Sequence, residues 1–194
     1  MSVEFAHSTF VTIGASNHSD AEREKNDYYA TDPKAMELLL NEEQFDSDIW
    51  ECACGGGHLS KVLTEHGYKV LSTDLIDRGY GEPGINFLEQ TGRWDGDIVT
   101  NPPYKYAKQF VEHALELVYT GHKVAMFLRL QFLEGRARRE LFDSAPPKTI
   151  YVASGRIDCA PGGDFENYTG GAQAYAWFVW EKDYYGDTVV KWIN

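Results

Sequence analysis

Basic side chains are scarce in this sequence: 18 lysines and arginines stand against 30 aspartates and glutamates, a formal net charge of -12. Phosphate contacts are normally made by Lys and Arg, so this balance excludes a protein that holds a polyanion by electrostatics alone. Cysteine is scarcer still. Cys52, Cys54 and Cys159 are an odd number in an otherwise ordinary intracellular composition, which argues against a disulfide framework, and reduced thiols are expected. No run of about 18 apolar residues occurs, and the opening MSVEFAHSTF has neither the basic nor the apolar region of a secretion signal. The expectation is a soluble, cytoplasmic protein with no membrane partner.

What the chain does contain is 43% hydrophobic and 14% aromatic residues in a length of 194, enough for one domain with a sizeable core. No internal repeat or second domain is evident. Residues 1–26 include the polar stretch GASNHSDAEREK and read as an arm or flap, leaving 27–194 as the folded domain. Thr31 or Asp32 can cap a helix entered through Pro33, with Met36, Leu38, Leu39 and Leu40 on its apolar side.

Beyond it, DIWECA reads as strand, HLSKVLTEHG as a helix closed by Gly67, and KVLSTDL as a second strand. GINFLE can be a short third strand and DIVTN a fourth, followed by the helix YAKQFVEHALELVYTG with Phe110, Ala114, Leu117 and Val118 on one face. KVAMFLRLQFL is a long apolar strand, EGRARRELFDS a helix, TIYVAS a sixth strand and AYAWFVWEK the last. Strand–helix alternation of this kind gives an α/β, Rossmann-like fold: a mainly parallel sheet with helices on both faces and an antiparallel edge strand.

Ligands of such sheets bind beyond the carboxyl ends of the strands. The loop after the first strand is ECACGGGHLS, where Gly55, Gly56 and Gly57 let a ligand approach the backbone; about 20 residues on, Asp74 can accept the hydroxyl hydrogens of a ribose. Glu51 suits an ammonium group and would repel a pyrophosphate, and position 60 is Ser, so the loop is not G-x-G-x-x-G. The spacing of Glu51, Gly55 and Gly57 resembles the opening motif of class I S-adenosylmethionine-dependent methyltransferases. Cys52, Cys54 and His58 lack an evident fourth zinc ligand and read as packing residues, so no metal is expected.

A second motif, Asn-Pro-Pro-Tyr at 101–104, closes the fourth strand. The Asn101 amide oxygen and the Pro102 carbonyl are both acceptors on a backbone fixed by proline, suited to gripping one planar NH₂, with Tyr104 able to stack on its ring. Two such acceptors favour a tetrahedral nitrogen whose lone pair is turned out of the ring. With the glycine loop and Asp74 in this order, the chain resembles amino-methylating class I methyltransferases, most of all N6-adenine DNA methyltransferases, including small phage-encoded ones.

The resemblance implies a seven-stranded sheet, S-adenosylmethionine as cofactor, and a DNA partner whose adenine is swung out of the helix. It sets Tyr29 and Thr31 of DYYATDP, Glu51, Cys54, Gly55, Gly57, Asp74, Leu75, Phe87 and Asn101 around the cofactor. It makes Asn101, Pro102 and Tyr104 the catalytic group and puts Trp177, in the aromatic strand YAWFVW, beside the base. Two departures stand out: Asn86 and Phe87 occupy the place where many relatives have an acidic residue, and no target-recognition domain follows the last strand. Recognition then falls to the amino-terminal arm and to the loop RIDCAPGGDFENYTGG.

Residues 101–150 are the one net-positive block, with eight basic and five acidic side chains. Lys105, Arg136, Arg138 and Arg139 in it are the candidates for nucleic-acid contact, against the plainer reading of a solvated helix face. NPPY is shared with enzymes that methylate protein glutamine amides and RNA bases, and a catalytically idle binding module is a further alternative.

Overall fold

The computed structural model describes residues 28–168 and 171–194; the arm expected over 1–26 lies outside them. Strand β1 (Tyr29–Thr31) leads to helix α1 (Lys34–Leu40), whose first turn is held by the Asp32 carboxylate accepting from the Lys34 amide at 2.9 Å. Then come β2 (Asp48–Glu51), α2 (His58–Glu65), β3 (Lys69–Asp74), β4 (Glu82–Pro83), β5 (Asp97–Thr100), α3 (Ala107–Leu117) and β6 (Lys123–Arg129). Helix α4 (Arg136–Ser144), β7 (Thr149–Ala153), β8 (Cys159–Pro161), β9 (Tyr175–Glu181) and β10 (Val189–Ile193) complete the chain.

Eight strands form one sheet in the order β10-β7-β9-β6-β5-β2-β3-β4, so the expected mixed α/β sheet is present with one strand more than the seven implied by resemblance. The extra strand is β10, VVKWI, parallel to β7 and largely exposed. The antiparallel strand is not at the edge. β9 lies between β6 and β7, antiparallel to both. Its burial explains the position: residues 175–180 are all buried, and a strand apolar on both faces belongs inside a sheet.

Two other expectations change. GINFLE is not a strand: β4 is only Glu82–Pro83, and Phe87–Glu89 is a single 3₁₀ turn. Asn86 accepts the Leu88 amide at 3.2 Å, a local side-chain bond that competes with ladder pairing. The strand of KVAMFLRLQFL stops at Arg129, and Leu130–Leu133 turns as 3₁₀ helix.

Side chains alternate along the central strands, so each face feeds its own core. Trp50, Ile98, Met126, Phe178 and Trp180 pack with Phe110, Val111 and Ala114 of α3; Ile49, Val99, Phe127 and Trp177 pack with Met36, Leu39, Leu59 and Leu63 of α1 and α2. Trp177, expected beside a base, is therefore a core residue: it is fully buried, and its indole Nε1 donates to the Ala35 carbonyl of α1 at 2.8 Å. The even spacing of Tyr175, Trp177 and Val179 fixes this, because a one-residue change of register would be needed to turn Trp177 away from α1.

The path of the chain makes the cleft. After β2 the sheet grows toward β3 and β4, then returns to place β5 on the other side of β2. The reversal opens a crevice at the carboxyl ends of β2 and β5. Trp177→Ala should lower unfolding free energy by about 3–5 kcal/mol, as for other large aromatic truncations in cores. Urea denaturation checks it, and a loss below 1 kcal/mol would contradict the core assignment.

Candidate functional site

A cavity of about 1000 Å³ lies at that crevice. Glu51, Cys52, Ala53 and Cys54 from the end of β2, Asp74 and Leu75 from β3, Asn101 to Tyr106 after β5 and Arg129 from β6 form its walls, with Tyr28 to Thr31 alongside. Of the residues expected at a cofactor, Tyr29, Thr31, Glu51, Cys54, Asp74, Leu75, Phe87 and Asn101 all line it, as do Pro102, Tyr104 and Lys105.

Asn101 sits where the proline pair stops β5. Its Nδ2 donates to the Tyr29 carbonyl at 3.2 Å and to Thr31 Oγ1 at 2.7 Å. A carbonyl can only accept, so the amide nitrogen must face β1. The opposite atom, Asn101 Oδ1, is buried and has no hydrogen-bond partner among the described residues. An orphaned buried acceptor costs about 1–3 kcal/mol, which a donor arriving in the cleft would recover.

The two carboxylates occupy the β2–β3 side. Glu51 is buried and takes a short hydrogen bond from Ser60 of α2, which in turn meets Ser72 of β3 at 2.7 Å. Burial pushes the Glu51 carboxyl from about 4.5 up to about 8; the nearby Asp74 charge adds to the rise and the Ser60 bonds oppose it. Asp74 accepts from the Gly55 amide at 2.8 Å, the Ile76 amide at 2.8 Å and Arg78 at 3.3 Å. Three of a carboxylate's roughly four acceptor positions are thus filled.

Gly55 and Gly57 do not face the cavity directly. Both have left-handed backbone, φ 53° and 78°, and a side chain at either would collide with the rings of Tyr28 and Tyr80 respectively. Their freedom admits these tyrosines as much as a ligand. The Tyr28 hydroxyl accepts the Gly56 amide at 3.1 Å, and the Arg78 guanidinium lies 4.2 Å from the Tyr28 ring.

Tyr104, expected as the stacking wall, lines the cavity, is half-buried and already has aromatic and cationic neighbours. Its hydroxyl donates to Cys159 Sγ of β8 at 3.5 Å, and its ring centroid lies 6.1 Å from Tyr29 and 6.0 Å from Tyr175. The Arg129 guanidinium lies over the ring at 4.6 Å. Tyr29 to Thr31 and Cys159 to Pro161 pair as an antiparallel ribbon, so the expected recognition loop and the DYYATDP segment meet beside Tyr104.

The α4 arginines do not line the cavity. Arg138 donates to the carbonyls of Gln131 and Glu134, and Arg139 pairs with Asp143 at 2.7 Å, so both are tied to their own helix and its entry. Arg136 is exposed. Sequence reading missed Tyr28, Arg78 and Arg129. For Arg129 a signal existed, a single charge inside the apolar run KVAMFLRLQFL. Among the described residues no three His, Cys, Asp or Glu side chains converge to hold a metal ion, and no helix is long and apolar enough to cross a membrane.

No protein-family model and no curated protein matches the chain. Solved structures do. A proposed class I S-adenosylmethionine-dependent methyltransferase of Listeria monocytogenes aligns with TM-score 0.51 and 12% identity over 82% of this chain, which spans 62% of that protein's length. A proposed RNA methyltransferase of Pyrococcus horikoshii aligns at 0.54 and 18% over 92% of this chain and 99% of its own. A proposed O-methyltransferase of Agrobacterium tumefaciens aligns at 0.54 and 12% over 83% and 84%. The chain has the class I methyltransferase fold, and at these identities the likeness is one of fold.

Glu51 gives the site a pH signature. A carboxyl raised from about 4.5 to about 8 contributes stability that is full below pH 4.5 and lost as pH rises to 8 and above. Glu51→Gln keeps an acceptor for Ser60 and removes the titration. The fall in urea midpoint between pH 5 and pH 9 should be smaller in the variant than in the wild type; equal falls would contradict a buried, protonated Glu51.

Proposed function

We propose that the protein is an S-adenosylmethionine-dependent N6-adenine methyltransferase acting on DNA. The observation that carries this reading is the buried, unpartnered Asn101 Oδ1 at the end of β5, beside Pro102 in the cleft wall. An acceptor held in place by the other half of its own amide suits a substrate that brings an NH₂ group.

The residues present fit the cofactor. Glu51, protonated near neutrality and bonded only through neutral serines, offers a buried carboxyl to an ammonium group, and a cation there would favour its ionised form. Asp74 retains acceptor capacity for a ribose hydroxyl, and Leu75 and Phe87 supply apolar walls for a purine. Bound S-adenosylmethionine supplies an electrophilic methyl group on a sulfonium. The chain's part is to hold the target nitrogen. Asn101 Oδ1 and the Pro102 carbonyl accept its two hydrogens, so its lone pair leaves the ring's π system and becomes nucleophilic. These bonds strengthen as the nitrogen becomes positive, which is where preorganised acceptors lower a barrier. A cavity of about 1000 Å³ has room for a cofactor and one extruded base.

The test is methyl transfer from labelled cofactor to DNA, RNA and protein, with products digested and weighed. N6-methyladenine from DNA is expected; methyl on cytosine, on a glutamine amide, or nowhere overturns the reading. Asn101→Ala should lower turnover by about 2.7–4 kcal/mol, on the scale of losing one oxyanion-hole donor, while cofactor affinity in calorimetry largely survives. Unchanged turnover would overturn the role of Asn101 even if adenine were the target.

A further inference from the structure

Arg129 closes β6 beside the Asn101–Tyr104 segment, at the opposite end of the cleft from the two carboxylates. It lines the cavity, and among the described residues its buried Nε has no hydrogen-bond partner and no carboxylate pairs with it. The other arginine of the cavity, Arg78, is by contrast bound by Asp74. Arg129 faces Tyr175, its direct partner across the β6–β9 ladder, and lies over the ring of Tyr104. The groups around it include Tyr104, Tyr175, Tyr168 and the Cys159 thiol, which burial keeps protonated by raising it to about 11; Asp158, whose charge reaches Tyr168, forms no ion pair with Arg129.

A half-buried guanidinium with an unfilled donor and no counterion is costly, because its fork of donors is left without the planar anion it matches. In a chain of net charge -12 such a site is not explained by a general excess of cations. Its position also sets which anion it could meet. Glu51 and Asp74 stand on β2 and β3, and β5 with its Asn-Pro-Pro segment separates them from β6. The cation thus belongs to the substrate half of the cleft.

We propose that Arg129 anchors a phosphodiester of the nucleic-acid strand next to the target base, leaving the Tyr104 ring as that base arrives. The inference rests on the reading of the cleft as an amino-methylating site. It makes the polymer specific: a glutamine amide in a protein carries no such anion, whereas DNA and RNA both do. It also accounts for the cover on the Tyr104 ring, since the guanidinium occupies ring surface that a base would use.

Fluorescence anisotropy with a labelled, adenine-containing single-stranded DNA, and with RNA of the same sequence, tests this in the presence of S-adenosylhomocysteine. R129Q should bind the strand at least about tenfold more weakly, with a salt slope shallower by about 0.7 for one lost phosphate contact, and R129K should recover part of the affinity. Affinity for S-adenosylhomocysteine should be unchanged in both variants. Methylphosphonate linkages beside each adenine, which remove the charge from the ligand instead, should weaken the wild type and not R129Q. The preferred strand, DNA or RNA, identifies the source of the phosphodiester. Unaltered strand affinity in R129Q, a loss confined to S-adenosylhomocysteine, or a wild type that binds neither strand would each overturn the proposal. Failure of the adenine reading is separate: a wild type that binds strands through Arg129 yet forms no N6-methyladenine keeps the anchor and loses the assignment of product.

Discussion

One amide ties the site together. Asn101 stands where two prolines end β5, and its side chain is oriented by its nitrogen, which is bonded to Tyr29 and Thr31, while its oxygen has no hydrogen-bond partner among the described residues. Because Tyr29–Thr31 is also one strand of the ribbon with Cys159–Pro161, the same bonds fix that ribbon against the carboxyl end of the sheet. The ribbon in turn brings Cys159 to the Tyr104 hydroxyl. Loss of the Asn101 nitrogen would release β1, and loss of its oxygen would leave the cleft without its preorganised acceptor. Conformational freedom is thus removed from the acceptor before any substrate binds, which is the condition under which a hydrogen bond contributes to rate.

Charge is divided along the cleft in the same way. The β2–β3 side has buried carboxyls, one of them raised to about 8 by desolvation, and suits a cationic ligand. The β6 side has Arg129, which no carboxylate of the described residues pairs with. Each arrangement is unfavourable in the free protein and is relieved by a ligand of the opposite charge, a pattern expected of binding sites more than of structural ion pairs. The excess of acidic residues over the whole chain does not contradict a polyanionic partner when the cation is concentrated at one point of the cleft.

The parts of the fold legible in sequence were those set by local chemistry. The glycine loop after β2, the acid at the end of β3 and the prolines after β5 impose backbone conformations that few other sequences share, and the cavity walls contain Glu51, Asp74 and Asn101 as their spacing suggested. What could not be read depended on distant partners. GINFLE has strand composition, but Asn86 caps a turn and Phe87 leaves the ladder to pack on Trp50 at 5.2 Å and Phe110 at 5.0 Å. VVKWI was too exposed and too late in the chain to stand out, and becomes a strand because β7 offers an open edge. Trp177 carries the right residue type in the right strand, yet the parity of that strand points it at α1 instead of the cleft.

The packing around Tyr104 shows how far local rules extend. Its place after Asn-Pro-Pro is dictated by the motif, but its surroundings are drawn from four other segments: Tyr29 of β1, Arg129 of β6, Cys159 of β8 and Tyr175 of β9. Aromatic and cationic neighbours of this kind contribute on the order of 0.5–2 kcal/mol each, comparable to stacking one base. On the proposed function, a base arriving at Tyr104 exchanges contacts of similar worth, and the balance is decided by what the displaced guanidinium finds next. If it finds a phosphate, insertion of the base and capture of the backbone reinforce each other, and a strand is held where a free base would be held weakly.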